Sequence, residues 1–362
     1  MVVDRSEGVR VGRAVRLAAA AALAYGAWRA LARPAGALAG EVALITGGSR
    51  GLGLLIAREL ARQGCRIAIC ARDERELARA REDLERRGAE VAAYRCDVTQ
   101  REQVDALVRH VTDRFGRVDI LVNNASIIQV GPVECMTVRD FEQAMAVNFW
   151  GTVYATLAVL PQMRRRGSGR IANITSIGGV VAVPHLLPYD AAKFAARGFS
   201  EGLHSELSGT GITVTTIVPG LMRTGSPVNA FFKGDAAKEY TWFSLGDATP
   251  LTAMSAGRAA RRIVEAIRRG EAEVTLSWQA RLLGLIHDLF PGATAKLLGR
   301  VSRALPSGER GTERNVRGMR LATALSPSPL TALMNRAARR NNQFGGAAEP
   351  APDHARKLGL AA

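Results

Sequence analysis

Tyr189-Asp-Ala-Ala-Lys193 sets a phenol and an ammonium four residues apart, which on a helix makes them neighbours on one face. A free tyrosine ionises near pH ~10, too high for easy proton exchange at neutrality. An adjacent ammonium favours the phenolate and lowers that value, so the pair can take a proton from an alcohol or give one to a carbonyl. The second stretch with chemical promise is Thr46-Gly47-Gly48-Ser49-Arg50-Gly51-Leu52-Gly53. Glycines there let the backbone turn sharply, approach an anion closely and aim the free N–H groups of a following helix at a phosphate. A dinucleotide pyrophosphate is the usual guest of such a turn, although Thr-Gly-x-x-x-Gly-x-Gly differs from the Gly-x-Gly-x-x-Gly fingerprint.

Both stretches need a frame to bring them together. Residues 42–45 are an apolar run of the kind buried in a parallel sheet, and Leu52, Ile56 and Leu60 give the helix that follows one apolar face, closed by Gly64. Strand and helix patterns then alternate. Strands are expected at 66–70, 91–96, 118–122, 170–175, 212–218 and 273–276. Between them lie helical patterns, among them one long helix from Thr137 to about Met163 and another from Tyr189 to Leu207. Such alternation means an α/β fold, a doubly wound parallel sheet of the Rossmann-like kind, with its ligand at the carboxyl ends of the strands. The organisation expected is one catalytic domain over 41–277 with helical N- and C-terminal extensions.

The formal charge of +16 sits mostly at the ends, +4 on residues 1–40 and +7 on residues 300–362. No basic groove interleaved with aromatics accompanies it, so no nucleic-acid partner is expected. Cys65, Cys70, Cys96 and Cys135 form no Cys-x-x-Cys pair and read as buried reduced thiols, with no metal set. Residues 1–40 combine Arg10, Arg13 and Arg16 with an Ala/Leu/Trp run of twelve, too short to span a bilayer. Either a helix lying on a membrane surface or one packed on protein fits that pattern. Residues 278–305 carry two apolar stripes, Trp278 to Phe290 and Leu297 to Leu305, separated by Pro291-Gly292 and set among Arg281, Lys296, Arg300 and Arg303. They suit a membrane surface or a second subunit. Residues 306–362 read as an Arg-rich, largely disordered tail, with one short apolar patch at 330–334 expected to dock locally. Residues 220–251, holding Phe231, Phe232, Tyr240, Trp242 and Phe243, are either a lid over an apolar substrate or ordinary packed helices.

With these features side by side, the chain resembles the short-chain dehydrogenase/reductase superfamily over roughly residues 41–276. The resemblance rests on the Thr46–Gly53 turn, Asp97, Asn123-Asn124-Ala125, Asn148, Ser176, Tyr189 with Lys193, and Pro219-Gly220 with Thr224. It implies hydride transfer between a nicotinamide dinucleotide and an alcohol or carbonyl. By that resemblance Asn148, Ser176, Tyr189 and Lys193 are catalytic. Ser176 holds the substrate oxygen against Tyr189, Lys193 also grips the nicotinamide ribose, and Asn148 anchors a water that relays protons to Lys193. The turn residues Thr46, Gly47, Ser49, Arg50, Gly51, Leu52 and Gly53, with Asn124 and Ala125, line the cofactor. Asp97 and Val98 meet the adenine, Asn123 braces the sheet, and Pro219, Gly220 and Thr224 pack on the nicotinamide amide. The resemblance also implies a homo-oligomer, dimer or tetramer, built on the long helices. Ser126 departs from the family's glycine, and a positive φ there would cost a serine about 1 kcal/mol. Asp190 points away from Tyr189 on an ideal helix and is expected to be indifferent.

In the family an acid at the end of the second strand selects NAD(H). Ala71 stands there instead, followed by Arg72, and Arg50 lies within the glycine turn. Planar guanidinium donors suit a phosphate, so NADP(H) is the preferred cofactor and NAD(H) the alternative. The substrate expected is an apolar small molecule, steroid-like, retinoid-like or acyl-like. The setting expected is cytoplasmic, with peripheral membrane contact open. The rival reading is a non-catalytic dinucleotide sensor or a membrane-surface scaffold.

Overall fold

The computed structural model describes residues 37–249, 253–307, 314–321, 323 and 331–344. Most of the expected N-terminal helix region, residues 1–36, lies outside the described residues. In chain order the elements are β1 (Val42–Thr46), α1 (Gly51–Arg62), β2 (Arg66–Ala71), α2 (Glu74–Glu85), β3 (Val91–Arg95), α3 (Arg101–Phe115) and β4 (Ile120–Asn123). Then come β5 (Gln129–Val130), α4 (Val138–Met145), α5 (Gly151–Arg166), β6 (Gly169–Ile174), α6 (Leu187–Glu206), β7 (Ile212–Val218), β8 (Met222–Arg223) and β9 (Phe231–Phe232). The remainder are α7 (Ala236–Ala248), β10 (Met254–Ser255), α8 (Ala256–Arg269), β11 (Glu273–Thr275), α9 (Trp278–Leu289), α10 (Pro291–Ala304), β12 (Val316–Arg317) and α11 (Ala332–Arg340).

All five residues of β1 are buried, as a strand covered on both faces requires. Its neighbours explain why. Seven strands pair in the order β11-β7-β6-β4-β1-β2-β3, and every pairing is parallel. The side-chain period of two sends Ile45 into a core with Ile56, Leu60, Ile263 and Ile267, and Leu44 into the opposite core with Val104, Val159 and Leu203. Strand order reverses between β1 and β4, so their carboxyl ends, Thr46 and Asn123, flank the crevice where such sheets take ligands.

The single helix expected from Thr137 to Met163 is interrupted. A capping box starts α4, with the Thr137 N–H and hydroxyl both donating to Asp140 Oδ2 at 2.8 Å. A π-helical turn at Ala146–Trp150 then joins α4 to α5 and holds Asn148. Such turns insert a residue into the helix and re-aim side chains. The span Val138–Arg166 is long and apolar enough to cross a membrane, yet half of its apolar window is buried in the domain.

Residues 220–251 satisfy parts of both readings made of them. Phe232, Tyr240 and Phe243 pack into a third core with Val130 and Leu186, while Phe231, Trp242 and Phe243 border a cavity. The expectation of a largely disordered tail from 306 does not hold for 314–321 and 331–344. Strand β12 pairs antiparallel with β9, and Met319, Met334 and Ala338 are buried. Arginine-rich composition suggested a solvated tail, but the apolar residues spaced within it find a surface that only the folded domain creates.

Candidate active site

The crevice at the strand ends opens into a cavity of about 1130 Å³. At one end lies the glycine turn. Thr46 is buried and does not face the cavity; its Oγ1 accepts from the N–H groups of Asn124 and Ala125 at 3.0 and 3.1 Å, stitching β1 to β4. Asn124 Nδ2 returns bonds to the carbonyls of Thr46 and Gly47 at 3.0 and 3.1 Å. Gly53 also stays off the cavity wall, and a side chain there would place Cβ 2.3 Å from the Gly47 carbonyl oxygen. The turn therefore closes so tightly that only glycine fits. Gly47, Ser49, Arg50, Gly51 and Leu52 line the cavity, with Asn124 and Ala125 beside them. Asp97 and Val98 line it from the end of β3, where Asp97 Oδ1 accepts from the Thr99 N–H and hydroxyl.

Ser176, Tyr189 and Lys193 share the far wall. Ser176 follows β6, and its Oγ accepts from the Gly178 N–H at 3.0 Å. Lys193 is 3% exposed; its Nζ donates to the Ile174 carbonyl at 2.9 Å and sits 5.6 Å from the centre of the Tyr189 ring. Burial lowers the Lys193 ammonium to about 8. Burial also pushes the Tyr189 phenol up to about 12, with Ser176 pulling down and Asp190 pushing up. The expectation that the neighbouring ammonium lowers the tyrosine is thus reversed in this site. Desolvation dominates, and the opposing pull comes from Ser176 rather than from the ammonium, which faces the ring.

Asp190 is not indifferent. It is 1% exposed, and its Oδ2 accepts from the Val183 N–H at 2.6 Å. Among the described residues its Oδ1 finds no partner, and burial pushes the carboxyl up to about 8. Asp247, on the cavity wall, is likewise pushed up to about 7 by burial. Asn148 lies behind the wall, its Oδ1 accepting from Ser126 Oγ and the Ile127 N–H at 2.9 Å each and its Nδ2 donating to the Ile127 carbonyl. Ser126 does not have positive φ, so the strain expected of it is absent, and its hydroxyl instead holds Asn148. Asn123 Nδ2 donates to Asn173 Oδ1 at 2.8 Å and Thr156 Oγ1 at 3.0 Å, bracing β4 against β6 and α5. Pro219, Gly220 and Thr224 form the floor after β7.

Several residues on this cavity carried no signal in the sequence. Glu76 is buried, pairs with Arg50 at 2.5 Å and accepts from Ser49 Oγ at 3.1 Å. From the C-terminal segment, Arg317 and Gln343 reach the cavity wall. Asn342 Nδ2 donates to the carbonyls of Ser49 and Glu76 at 2.8 and 3.0 Å. Asn341 Nδ2 and Gln343 Nε2 both donate to the Thr224 carbonyl at 3.3 Å. One cue existed in the sequence: Asn342 follows α11 with φ 56°, and asparagine is a common left-handed residue after a helix.

A parallel seven-stranded sheet with a glycine turn after its first strand and Ser, Tyr and Lys grouped at its carboxyl edge defines a class, and comparison with known proteins agrees. The family model described as short chain dehydrogenase matches residues 41–231. The chain is 32% identical to a Drosophila melanogaster dehydrogenase/reductase SDR family protein 7-like, over 75% of this chain and 84% of that one. A short-chain dehydrogenase from Streptomyces avermitilis superposes with a TM-score of 0.62 at 30% identity, covering 73% of this chain and 99% of its own. An actinorhodin polyketide ketoreductase crystallised with NADPH superposes with a TM-score of 0.57 at 31% identity, covering 65% and 94%. The chain belongs to the short-chain dehydrogenase family and is an NAD(P)-dependent dehydrogenase/reductase.

Proposed function

We propose that the enzyme moves a hydride between NADP(H) and the carbonyl or secondary alcohol of an apolar substrate, steroid-like, retinoid-like or acyl-like, with Tyr189 exchanging the proton. The observation that carries this reading is the grouping of Ser176, Tyr189 and Lys193 on one wall of a cavity whose other end is the glycine turn. The cradle fits a dinucleotide: the turn admits no side chain at Gly53, and Arg50 and Arg72 border it where Ala71 replaces an acid. When bound, the dinucleotide supplies or accepts the hydride.

Ser176 and Tyr189 hold the substrate oxygen between them. In reduction Tyr189 gives its proton to the carbonyl oxygen as the hydride reaches the carbon; in oxidation it takes the alcohol proton. A phenol held near 12 is a reluctant acid, so Lys193 matters. Its bond to Ile174 leaves two N–H donors to steady the phenolate and orient ribose hydroxyls. Asn148 holds the Ser126–Ile127 loop behind them. Ile128, Val183, Leu186, Trp242 and Phe243 support an apolar substrate.

A second reading, compatible with the first, is peripheral attachment to an anionic membrane. Trp278, Leu289 and Phe290 are 65%, 62% and 61% exposed on α9 and its end, and Lys296, Arg300 and Arg303 follow on α10. A soluble surface rarely gathers so much apolar area without use for it. Exposed Trp150, Leu157 and Phe194 along the π turn, α5 and α6 support a dimer or tetramer built there.

The testing experiment is oxidation of NADPH and NADH against a panel of apolar ketones and aldehydes, by the wild type and Tyr189→Phe. Turnover with NADPH should fall by about a hundredfold or more in the variant. Tight binding without turnover across the panel would favour the non-catalytic sensor, and preference for NADH would overturn the cofactor choice.

A further inference from the structure

Arginine 317 enters the cofactor cavity from a segment that lies outside the family match. Strand β12 pairs with β9 so that Arg317 stands opposite Phe231, and its guanidinium lies 5.4 Å from the centre of that ring. The same guanidinium borders the cavity that Arg50 and Arg72 border. All three line it, as do the carboxylates of Asp73, Glu76 and Asp97, and Arg50 and Arg72 lie close enough to Arg317 to repel its charge. Among the described residues neither Arg72 nor Arg317 makes an ion pair, and the one buried carboxylate nearby, Glu76, is engaged by Arg50 through one oxygen and by Ser49 through the other. Burial, then repulsion from Arg50 and Arg72, holds Arg317 below the usual guanidinium range. Gathering like charges in a half-enclosed site is unfavourable unless an anion completes it.

We propose that Arg317 is a third guanidinium of the phosphate-recognition corner, and that the C-terminal segment thereby helps the enzyme discriminate NADP(H) from NAD(H). This rests on the NADP(H) reading above. Arg72 follows the second strand, where the ribose 2′-substituent falls in sheets of this kind, and Arg50 from the glycine turn and Arg317 from β12 line the same cavity. Planar donors from three separate elements suit a phosphate dianion far better than a ribose hydroxyl. The stacking of Arg317 on Phe231 fixes the fork before the ligand arrives.

The test is equilibrium titration of the full chain with NADPH and with NADH, followed by quenching of tryptophan fluorescence, for the wild type, Arg317→Gln, Arg317→Lys and the distant exposed control Arg300→Gln. The expected result is that Arg317→Gln weakens NADPH by about tenfold, leaves NADH within about twofold, and leaves the control unmoved. Arg317→Lys, which keeps the charge and loses the fork, should fall between; it also serves if the glutamine variant does not fold. Equal loss for both dinucleotides would show that Arg317 acts only by holding β12 in place, and an unchanged NADPH preference would show that it does not reach the phosphate. Either overturns the proposal while leaving the NADP(H) reading intact. A wild type that binds NADH as tightly as NADPH overturns that reading itself, and this one with it.

Discussion

The main-chain N–H of Gly51 donates to the carbonyl of Asn341 at 2.8 Å. A donor at the start of α1, of the kind that such turns aim at phosphate, is thus tied to the end of α11. Asn341, Asn342 and Gln343 bridge the glycine turn to Thr224 on the far side of the cavity. The C-terminal segment is consequently part of the wall of the cavity.

Asn342 should be the weakest point of that bridge to lose. Its side chain serves the carbonyls of Ser49 and Glu76, and its φ of 56° is one asparagine tolerates better than alanine. Asn342→Ala is expected to cost about 1–3 kcal/mol in urea denaturation, and Asn342→Gly less, because glycine relieves the backbone while losing the bonds. Equal and negligible losses would mean that the segment contributes nothing to the fold.

Asp190 makes stability depend on pH in a particular direction. Its carboxyl titrates at about 8 in the folded chain, against about 4 when unfolded. Between these values the folded state keeps a proton that the unfolded state has released, so stability falls as pH rises from about 4 to about 8 and is level above. Asp190→Asn cannot ionise, and its amide oxygen can still accept from Val183. Melting temperatures across that range should decline less in the variant than in the wild type; parallel curves would count against the assignment.

Gly53→Ala tests the cradle. Its Cβ would meet the Gly47 carbonyl oxygen at 2.3 Å and Asn124 Nδ2 at 2.5 Å, both part of the stitch between β1 and β4. The variant should lose about 1–3 kcal/mol of stability and bind NADPH more weakly. If both quantities match the wild type, the turn is looser than its geometry implies.

The apolar face of α9 can be tested without touching the cavity. Leu285 and Leu289 are 56% and 62% exposed, so the double variant Leu285→Glu, Leu289→Glu should fold normally. With vesicles containing anionic lipid, the wild type is expected to float and the variant to stay behind. A wild type that does not float removes the membrane reading.

Much of this was legible from local order alone. The glycine turn between β1 and α1, and Tyr189 with Lys193 on α6, depend on runs and spacings of a few residues, which one strand or one helix turns directly into geometry. The open, doubly wound parallel sheet follows from alternating patterns and right-handed crossovers, whereas the reversal of strand order between β1 and β4 is read only from the folded sheet. What only the tertiary structure decided concerns residues far apart in the chain. The ionisation of Tyr189 is governed by burial that many elements create together, with Ser176 rather than the lysine at close spacing opposing it. Ser126 is unstrained because its φ is not positive, and Asn148, carried on a π turn, accepts its hydroxyl. Arg317 and the Asn341–Gln343 bridge reach the cavity because β9 and the glycine turn offer edges to pair with. No spacing in the chain encodes such a meeting, since the surface that attracts the late segment exists only once the earlier part has folded.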